Sequence, residues 1–357
     1  MPQNAPIVFT GGGSGGHVIP ALTLLDELRR RGGFDIAYVG SRAGIERELA
    51  EGRSVPYTAI STGKLRRYLS VENLVDVFRV AWGTVQAFVW FLRRPRGLVF
   101  STGGFVSVPV VVAGRLTGQT VFLHEQTSRA GLANRLASKF AHAVFVSFDA
   151  SRALFPPGKT ELSGYPLRPE CFTPSAEPPV VAGRNLAEIA RPVLFLTGGG
   201  NGSKLLNEWI RDQLPSLKER FFVVHQVGKA FADEYAQYDD DSYVSTAFVD
   251  DMIGVMRRAE VVVSRAGAGT VQELMALGKR SLFVPLAIAQ KNEQYHNAME
   301  AHERLGSIVV TEAELAEADL LALADDLLAS PAADVAPMPN GTELLADRIE
   351  AAVRRTA

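Results

Sequence analysis

Two octapeptides in this chain have the composition of a phosphate cradle: TGGGSGGH at 10–17 and TGGGNGSK at 197–204. Each follows a short apolar run and precedes a helical pattern. A strand that ends in glycines lets the backbone approach an anion closely, while the free N–H groups and positive dipole end of the next helix face it. Taken alone, the first loop satisfies G-x-G-x-x-G through Gly11, Gly13 and Gly16, which also suits a nicotinamide or flavin dinucleotide. That chemistry wants an acid at the end of the second strand. The stretch YVGSRAG offers Ser41 and Arg42 there, which counts against NAD and leaves NADP open. A plain strand-to-helix turn explains one such loop more readily than two.

Two further stretches carry polar groups where ligands bind in open α/β sheets, at the C-terminal ends of strands. VFLHEQTSRAGLANR (121–135) ends a strand with His124, Glu125 and Gln126 in a row. VVVSRAGAGTVQELMALGK (261–279) is another strand, glycine loop and helix, with Glu273 in the early turns. Thr270 and Glu273 also have the T-x-x-E spacing of a capping box. His17 follows the first loop at a helix start, where it either caps the helix or faces a substrate.

Positioning these groups is the work of short β-branched or apolar runs that alternate with helical patterns: IVFT, a helix near 17–32, DIAYVG, a helix near 42–52, LVFST, a helix near 105–118, TVFLHE. The alternation restarts at VLFLTGGG, FFVVHQVG, VVVSRAG and SLFVPL. This is the pattern of parallel sheets covered by helices, written as two doubly wound α/β halves. GYPLRPECFTPSAEPPVVAG (164–183) holds five prolines and reads as a connector. The expected organisation is an N-terminal domain over 1–163, a linker over 164–190, a C-terminal domain over 191–335 and a final helix within 336–357 free to return to the first domain. At 357 residues, each half can bury its own core.

Composition narrows the partners. A net charge of -2 gives no global attraction to nucleic acid, and none is expected as a partner. The single cysteine, Cys171, excludes a disulfide framework and a thiolate metal cluster; it reads as an inert thiol. MPQNAP runs directly into IVFT without a basic region and apolar stretch, so no export signal is expected. The uncharged windows Val80 to Leu92 and Gly97 to Gly114 fall short of a span of about 20 apolar residues, or are broken by glycine and proline.

The runs TGGGSGGHVIPAL, STGGFVSVP, HEQTSRAGLANR, GYPLR, TGGGNGSKLLN, FVDDM, SRAGAGTVQEL and FVPL…NEQYHNA resemble, in order and over nearly the whole chain, the MurG family. Its members are N-acetylglucosaminyltransferases acting on a muramyl-pentapeptide diphosphate carried by undecaprenol. The resemblance implies a GT-B architecture, two Rossmann-like domains facing a cleft, and transfer from UDP-GlcNAc to the muramyl 4-hydroxyl of lipid I, giving lipid II. It implies no cofactor and no metal, and places the enzyme peripherally on the cytoplasmic face of the cell membrane. One glycine loop would then serve each substrate's diphosphate.

Carried over residue by residue, the resemblance makes His17 and Glu125 the competing candidates for the catalytic base. Gly13, Gly104, His124, Gln126 and Thr127 fall at acceptor-binding positions. Ser14, Gly15, Gly16, Gly200, Asn201, Ala268 and Thr270 fall at donor-binding positions. Arg168 would steady the leaving phosphates, Phe248 and Val249 would contact uracil largely through backbone, Glu273 would hold the ribose hydroxyls, and Gln294 and Asn297 would read the sugar.

Departures from the family pattern stand at Thr127 and Tyr165, each in place of Asn, and at Gly200–Asn201, in place of Ser-Gln. The segment LAIAQKNEQYHNA fits as though it held an extra residue. The alternatives kept open are a related UDP-sugar transferase with another acceptor, an NADP-dependent oxidoreductase, and a nucleotide-sugar binder without turnover.

The segment 71–97 sets Val75, Phe78, Trp82, Val85, Phe88 and Phe91 at roughly helical spacing and closes with Arg93, Arg94 and Arg96. It is expected either to lie on an anionic bilayer or to form a core helix whose arginines complement its dipole.

Overall fold

The computed structural model describes residues 4–63, 71–288, 292–329 and 338–354, with the backbone alone at 71–74. The chain forms two units, 1–167 with 339–357, and 168–338.

In the first unit the apolar runs become β1 (Ala5–Thr10), β2 (Phe34–Ser41), β3 (Tyr57–Ile60), β4 (Leu98–Ser101), β5 (Thr120–Glu125), β6 (Ala143–Val146) and β7 (Thr160–Leu162). They make one parallel sheet of order β3-β2-β1-β4-β5-β6-β7. The helices are α1 (Gly15–Arg31), α2 (Ile45–Glu51), α3 (Val71–Leu92), α4 (Ser107–Leu116), α5 (Leu132–Ala137) and α6 (Asp149–Arg152). Strand order reverses between β1 and β4, and at such a point the loops leaving both strands open toward a ligand.

The pleat of β1 assigns its residues to two cores, because alternate side chains leave opposite faces. Ile7 and Phe9 pack with Leu22, Leu25 and Leu28 of α1, whereas Val8 packs with Val110 and Val111 of α4 and Phe91 of α3. Phe9 is fully buried, so truncation to alanine costs about 3–5 kcal/mol.

The second unit repeats the plan. A short hairpin, β8 (Val180–Val181) and β9 (Arg184–Asn185), gives the proline-rich stretch more order than its composition suggests. Then β10 (Val193–Thr197), β11 (Phe222–Gln226), β12 (Tyr243–Thr246), β13 (Val261–Ser264), β14 (Leu282–Phe283) and β15 (Ile308–Val309) form a parallel sheet of order β12-β11-β10-β13-β14-β15. Its helices are α7 (Lys204–Arg211), α8 (Leu214–Arg220), α9 (Ala232–Tyr235), α10 (Met252–Arg258), α11 (Ala268–Ala276), α12 (Glu293–Leu305) and α13 (Leu320–Ala329). Residues 289–291 of the segment LAIAQKNEQYHNA, and residues 330–337 ahead of the last helix, lie outside the described residues.

α14 (Gly341–Arg354) belongs to the first unit. Leu345, Ala346, Ile349 and Val353 join the core of α1 and β1. Arg31 of α1 donates to Asp347 Oδ1 at 2.6 Å and Glu350 Oε1 at 3.1 Å, and Thr342 Oγ1 donates to Leu167 O at 2.7 Å.

α3 departs from expectation. The window Val75–Leu92 is long and apolar enough to cross a membrane by length and composition. It nevertheless buries one face: Ala87 and Phe91 sit in the core and Phe88 packs against it. The exposed apolar face consists of Val75, Phe78, Trp82, Val85, Val89 and Leu92. Phe88 and Phe91 therefore do not belong to the stripe that their spacing suggested, because a 3.6-residue period drifts around the helix over four turns.

Candidate functional site

In the first unit the turn after β1 leads into α1 with Ser14 at the N-cap, extended in backbone and making no side-chain cap. The first turn of α1 thus keeps its amide donors uncovered around Gly15 and Gly16. Glu46 of α2 orders this loop from below. Fully buried, it accepts from Gly13 N at 3.3 Å, Ser41 N at 3.1 Å and Ser41 Oγ at 2.5 Å. Sequence reading passed over Glu46, whose signal was an acid two residues after the glycine that ends the β2 turn. The loop after β4 closes on the same place, with Gly12 N donating to Gly103 O at 3.2 Å. Gly104 has φ +80, and a Cβ there would collide with Gly12 O.

His17 does not cap α1. Its Nδ1 lies 2.9 Å from Thr102 O and 3.1 Å from Gln126 Oε1. Both oxygens only accept, so Nδ1 carries a proton, and of the two neutral tautomers these bonds select the one with its lone pair on Nε2. The chain of bonds continues inward: Gln126 Nε2 donates to His124 Nδ1 and to His124 O, each at 3.1 Å, and His124 Nε2 donates to Gly164 O at 3.1 Å. Burial pushes the His124 imidazole down to about 4, so it stays neutral and its tautomer is fixed by Gly164. Thr102, which also donates from Oγ1 to His17 O at 2.6 Å, was another omission.

Glu125 is buried and its oxygens are engaged. It accepts from Thr127 N at 3.1 Å, Thr127 Oγ1 at 2.9 Å, Gly131 N at 3.4 Å and Asn134 Nδ2 at 2.9 Å. Thr127 therefore serves Glu125 with backbone and side chain together. Tyr165 is buried with its ring edge-on to His124, at 6.4 Å between centroids.

In the second unit, Arg168 and Glu273 meet: Nε and Nη2 of Arg168 donate to Glu273 Oε1 at 3.0 and 2.6 Å. Burial raises the Glu273 carboxyl above its usual range, and Arg168 offsets part of that rise. Burial likewise pushes the nearby Cys171 thiol up to about 12, in keeping with an inert thiol. The capping-box reading of Thr270 and Glu273 is overturned. Gly267 is the N-cap of α11, Ala268 begins the helix, and Thr270 is already inside it.

The second glycine loop turns at Gly199 and Gly202, both with left-handed φ, and Gly202 has no room for a Cβ beside Val227 O. Gly200 and Asn201 are exposed at its tip. Buried Gln226 ties the loop to the FVDDM segment: Nε2 donates to Thr197 Oγ1 at 2.9 Å and Gly199 O at 3.0 Å, while Oε1 accepts from Val249 N at 2.8 Å. Val249 is buried, whereas Phe248 is exposed. Arg265 donates to Ser203 Oγ, the N-cap of α7, at 2.8 Å and pairs with Glu312 at 2.6 Å. Gln294 Oε1 accepts from Leu286 N at 3.0 Å, and buried Asn297 donates to Ala266 O at 3.2 Å. These two side chains brace the turns around them.

The Glycosyltransferase family 28 N-terminal domain pattern matches residues 7–146, and its C-terminal domain counterpart matches 193–350. A Clostridium novyi protein named "UDP-N-acetylglucosamine--N-acetylmuramyl-(pentapeptide) pyrophosphoryl-undecaprenol N-acetylglucosamine transferase" is 38% identical over 320 residues, 88% of each chain. A Clostridium perfringens protein of the same name is 38% identical over 331 residues, 90% of this chain and 89% of that one. Among solved structures, MurG of Acinetobacter baumannii matches with a TM-score of 0.69 at 24% identity, covering 97% of this chain and 99% of the other. The fold is the two-domain, Rossmann-like architecture of GT-B glycosyltransferases, as expected.

Proposed function

Because this chain belongs to the MurG family, within glycosyltransferase family 28, we infer that it transfers N-acetylglucosamine from UDP-GlcNAc to the muramyl 4-hydroxyl of lipid I, giving lipid II. The observation that carries this reading is the match of relatives of one name across both units, at 38% identity.

Transfer with inversion needs a base for the acceptor hydroxyl and stabilisation of the departing UDP. The 4-oxygen attacks the anomeric carbon, the bond from that carbon to the β-phosphate oxygen breaks, and its electron pair leaves with UDP. The hydroxyl proton passes to His17 Nε2. Supporting this assignment, the bonds from Nδ1 to Thr102 O and Gln126 Oε1 hold the ring in the tautomer that presents a lone pair. Glu125 is the weaker candidate, because four donors already occupy its oxygens. Its role is to shape the 126–131 loop against the acceptor.

On the donor side, Glu273 accepts the ribose hydroxyls through Oε2, while Arg168, held on Oε1 through Nε and Nη2, offers its remaining N–H donors to the diphosphate. The amides of the 198–202 loop and the uncapped start of α11 face the same phosphates, with the helix dipole favouring negative charge. The departures at Thr127 and Tyr165 are absorbed locally, on Glu125 and His124, which favours the family's own acceptor over a different one.

The enzyme sits peripherally on the cytoplasmic face of the membrane, held by the exposed apolar face of α3. Arg94 stacks over Trp90 at 4.0 Å at its end, a basic and aromatic pairing suited to an anionic bilayer surface.

The test is transfer of labelled N-acetylglucosamine from UDP-GlcNAc to a short-chain lipid I analogue, with a control lacking acceptor. Acceptor-dependent product is expected. A folded, UDP-binding preparation that forms none overturns the reading.

A further inference from the structure

The chain leaves the first unit after Leu167 and re-enters it at Pro339. Within that unit the outgoing and returning stretches touch. Gly341, the first residue of α14, has no left-handed φ, yet a Cβ there would stand 2.8 Å from Gly164 C and collide with Tyr165 O. Contact with the peptide that joins Gly164 to Tyr165, and not backbone conformation, is what demands a glycine at this position. Gly164 itself turns at φ +77, with Pro339 and Gly341 beside it. One step further along, buried Thr342 donates from Oγ1 to Leu167 O at 2.7 Å.

The 164–165 peptide carries the carbonyl on which His124 rests. Gly164 O accepts from His124 Nε2 at 3.1 Å and from Ser163 Oγ at 2.9 Å. With its proton on Nε2, His124 keeps a lone pair on Nδ1 and accepts there from Gln126 Nε2, which leaves Gln126 Oε1 to face the Nδ1 proton of His17. Donors and acceptors thus follow one order from Gly164 to His17.

A second order is available to the same groups. Ser147 Oγ stands 3.4 Å from His124 Nε2, and a hydroxyl donates as readily as it accepts. With Gly164 O withdrawn, Ser147 donates to Nε2, His124 holds its proton on Nδ1, and Gln126 turns Oε1 toward it. The Gln126 amide NH2 then faces His17 Nδ1, which favours the tautomer with the proton on Nε2 and no lone pair for the acceptor hydroxyl. The first order prevails at rest because His124 O holds the Gln126 amide and Thr102 O holds the His17 proton in the same sense.

Resting on the transferase reading above, with His17 as base, we propose that the start of α14 positions that base. Gly341 and Thr342 hold the 164–167 stretch so that Gly164 O keeps His124, Gln126 and His17 in the first order. Both are positioning residues that act on His17 through His124 and Gln126. α14 therefore does more than cover the core, and strain at the point where the chain leaves or re-enters the unit is carried to the catalytic nitrogen.

Histidine-selective 15N labelling of the full chain, without substrate and at alkaline pH, reads each tautomer from its two ring nitrogens. In the wild type, His17 is expected to carry its proton on Nδ1 and His124 on Nε2. Gly341→Ala should move both toward the opposite tautomers and lower kcat about tenfold at unchanged acceptor KM, the worth of one hydrogen bond at the upper end of its range. Thr342→Val should act in the same direction and Thr342→Ser, which keeps the hydroxyl, should restore wild-type behaviour. His225, in the second unit with Nε2 on Asn207 Oδ1, should stay unmoved in every variant. Should Gly341→Ala fail to fold, the Thr342 pair decides alone.

Wild-type tautomers retained at His17 and His124 in the folded variants overturn the positioning role, whether or not kcat falls. Tautomers that move while kcat holds remove His17 as the base, and the inference with it. Wild-type protein that shows the expected tautomers and binds UDP but forms no acceptor-dependent product overturns the transferase reading instead.

Discussion

Arg168 and Glu273, 105 positions apart, meet through two hydrogen bonds onto a single carboxylate oxygen, Oε1. Among the described residues Oε2 accepts nothing, so one oxygen is held by the protein and the other remains for a ligand. Glu273→Ala should weaken UDP binding by about 1.5–3 kcal/mol, the worth of hydrogen bonds to a charged group, measured by titration calorimetry. Arg168→Ala leaves a buried carboxylate without its cation. It should lower stability by about 2 kcal/mol, less than for a fully buried pair because Arg168 is one-third exposed. Unchanged UDP affinity in Glu273→Ala would reduce the pair to a structural brace.

His17→Asn should lower kcat about 10²–10⁴-fold while the UDP-induced rise in melting temperature persists. Glu125→Gln should act chiefly through acceptor KM, because it disturbs the loop and not the proton. A fall in kcat of that size at unchanged KM in Glu125→Gln would transfer the base role to it. Gln126→Glu would set a carboxylate against His17 Nδ1 and favour the imidazolium, so the acid limb of the pH–rate profile should move to higher pH.

Both buried histidines make stability depend on pH. Burial holds His124 down to about 4 and His225 to about 3, against 6.5 when unfolded. A depressed histidine binds more protons in the unfolded state between those values, so its stabilising effect is complete above 6.5 and declines as pH falls toward the folded value. From pH 6.5 to 5 each should cost about 2 kcal/mol, read by urea denaturation of its own unit. A flat stability over that range would mean that the rings are hydrated in solution.

Replacing Phe78 and Trp82 by serine should reduce binding to anionic vesicles without loss of stability, because both side chains are exposed. The corresponding change at Phe91 should unfold the protein first, since it is core. Full vesicle binding by the double variant would remove α3 from the membrane contact.

The alternation of apolar runs made both parallel sheets legible, because β1, β4, β10 and β13 are buried on two faces and read as unbroken hydrophobic strings. The glycine loops were legible for a related reason: left-handed turns such as Gly199 and Gly202 leave a residue type as their trace. What stayed hidden were bonds between distant positions. Nothing near Glu46 announces that it orders Gly13, and nothing near Gln226 announces that it joins the second loop to Val249. Local spacing misled twice, at Thr270–Glu273 and along α3. A capping box and an amphipathic stripe are both defined by sequence distance, whereas the true helix start and the true buried face are set by what packs alongside.

The docking of α14 on α1 and β1 has a consequence for the order of synthesis. The ribosome delivers residues 1–167 long before Leu345, Ala346, Ile349 and Val353, which close the same core. Until the whole second unit has emerged, the first exposes a strip of apolar surface beside Phe9, Leu25 and Leu28. The half that is made first is therefore sealed last, and a fragment cut after residue 167 lacks the helix that covers its own core.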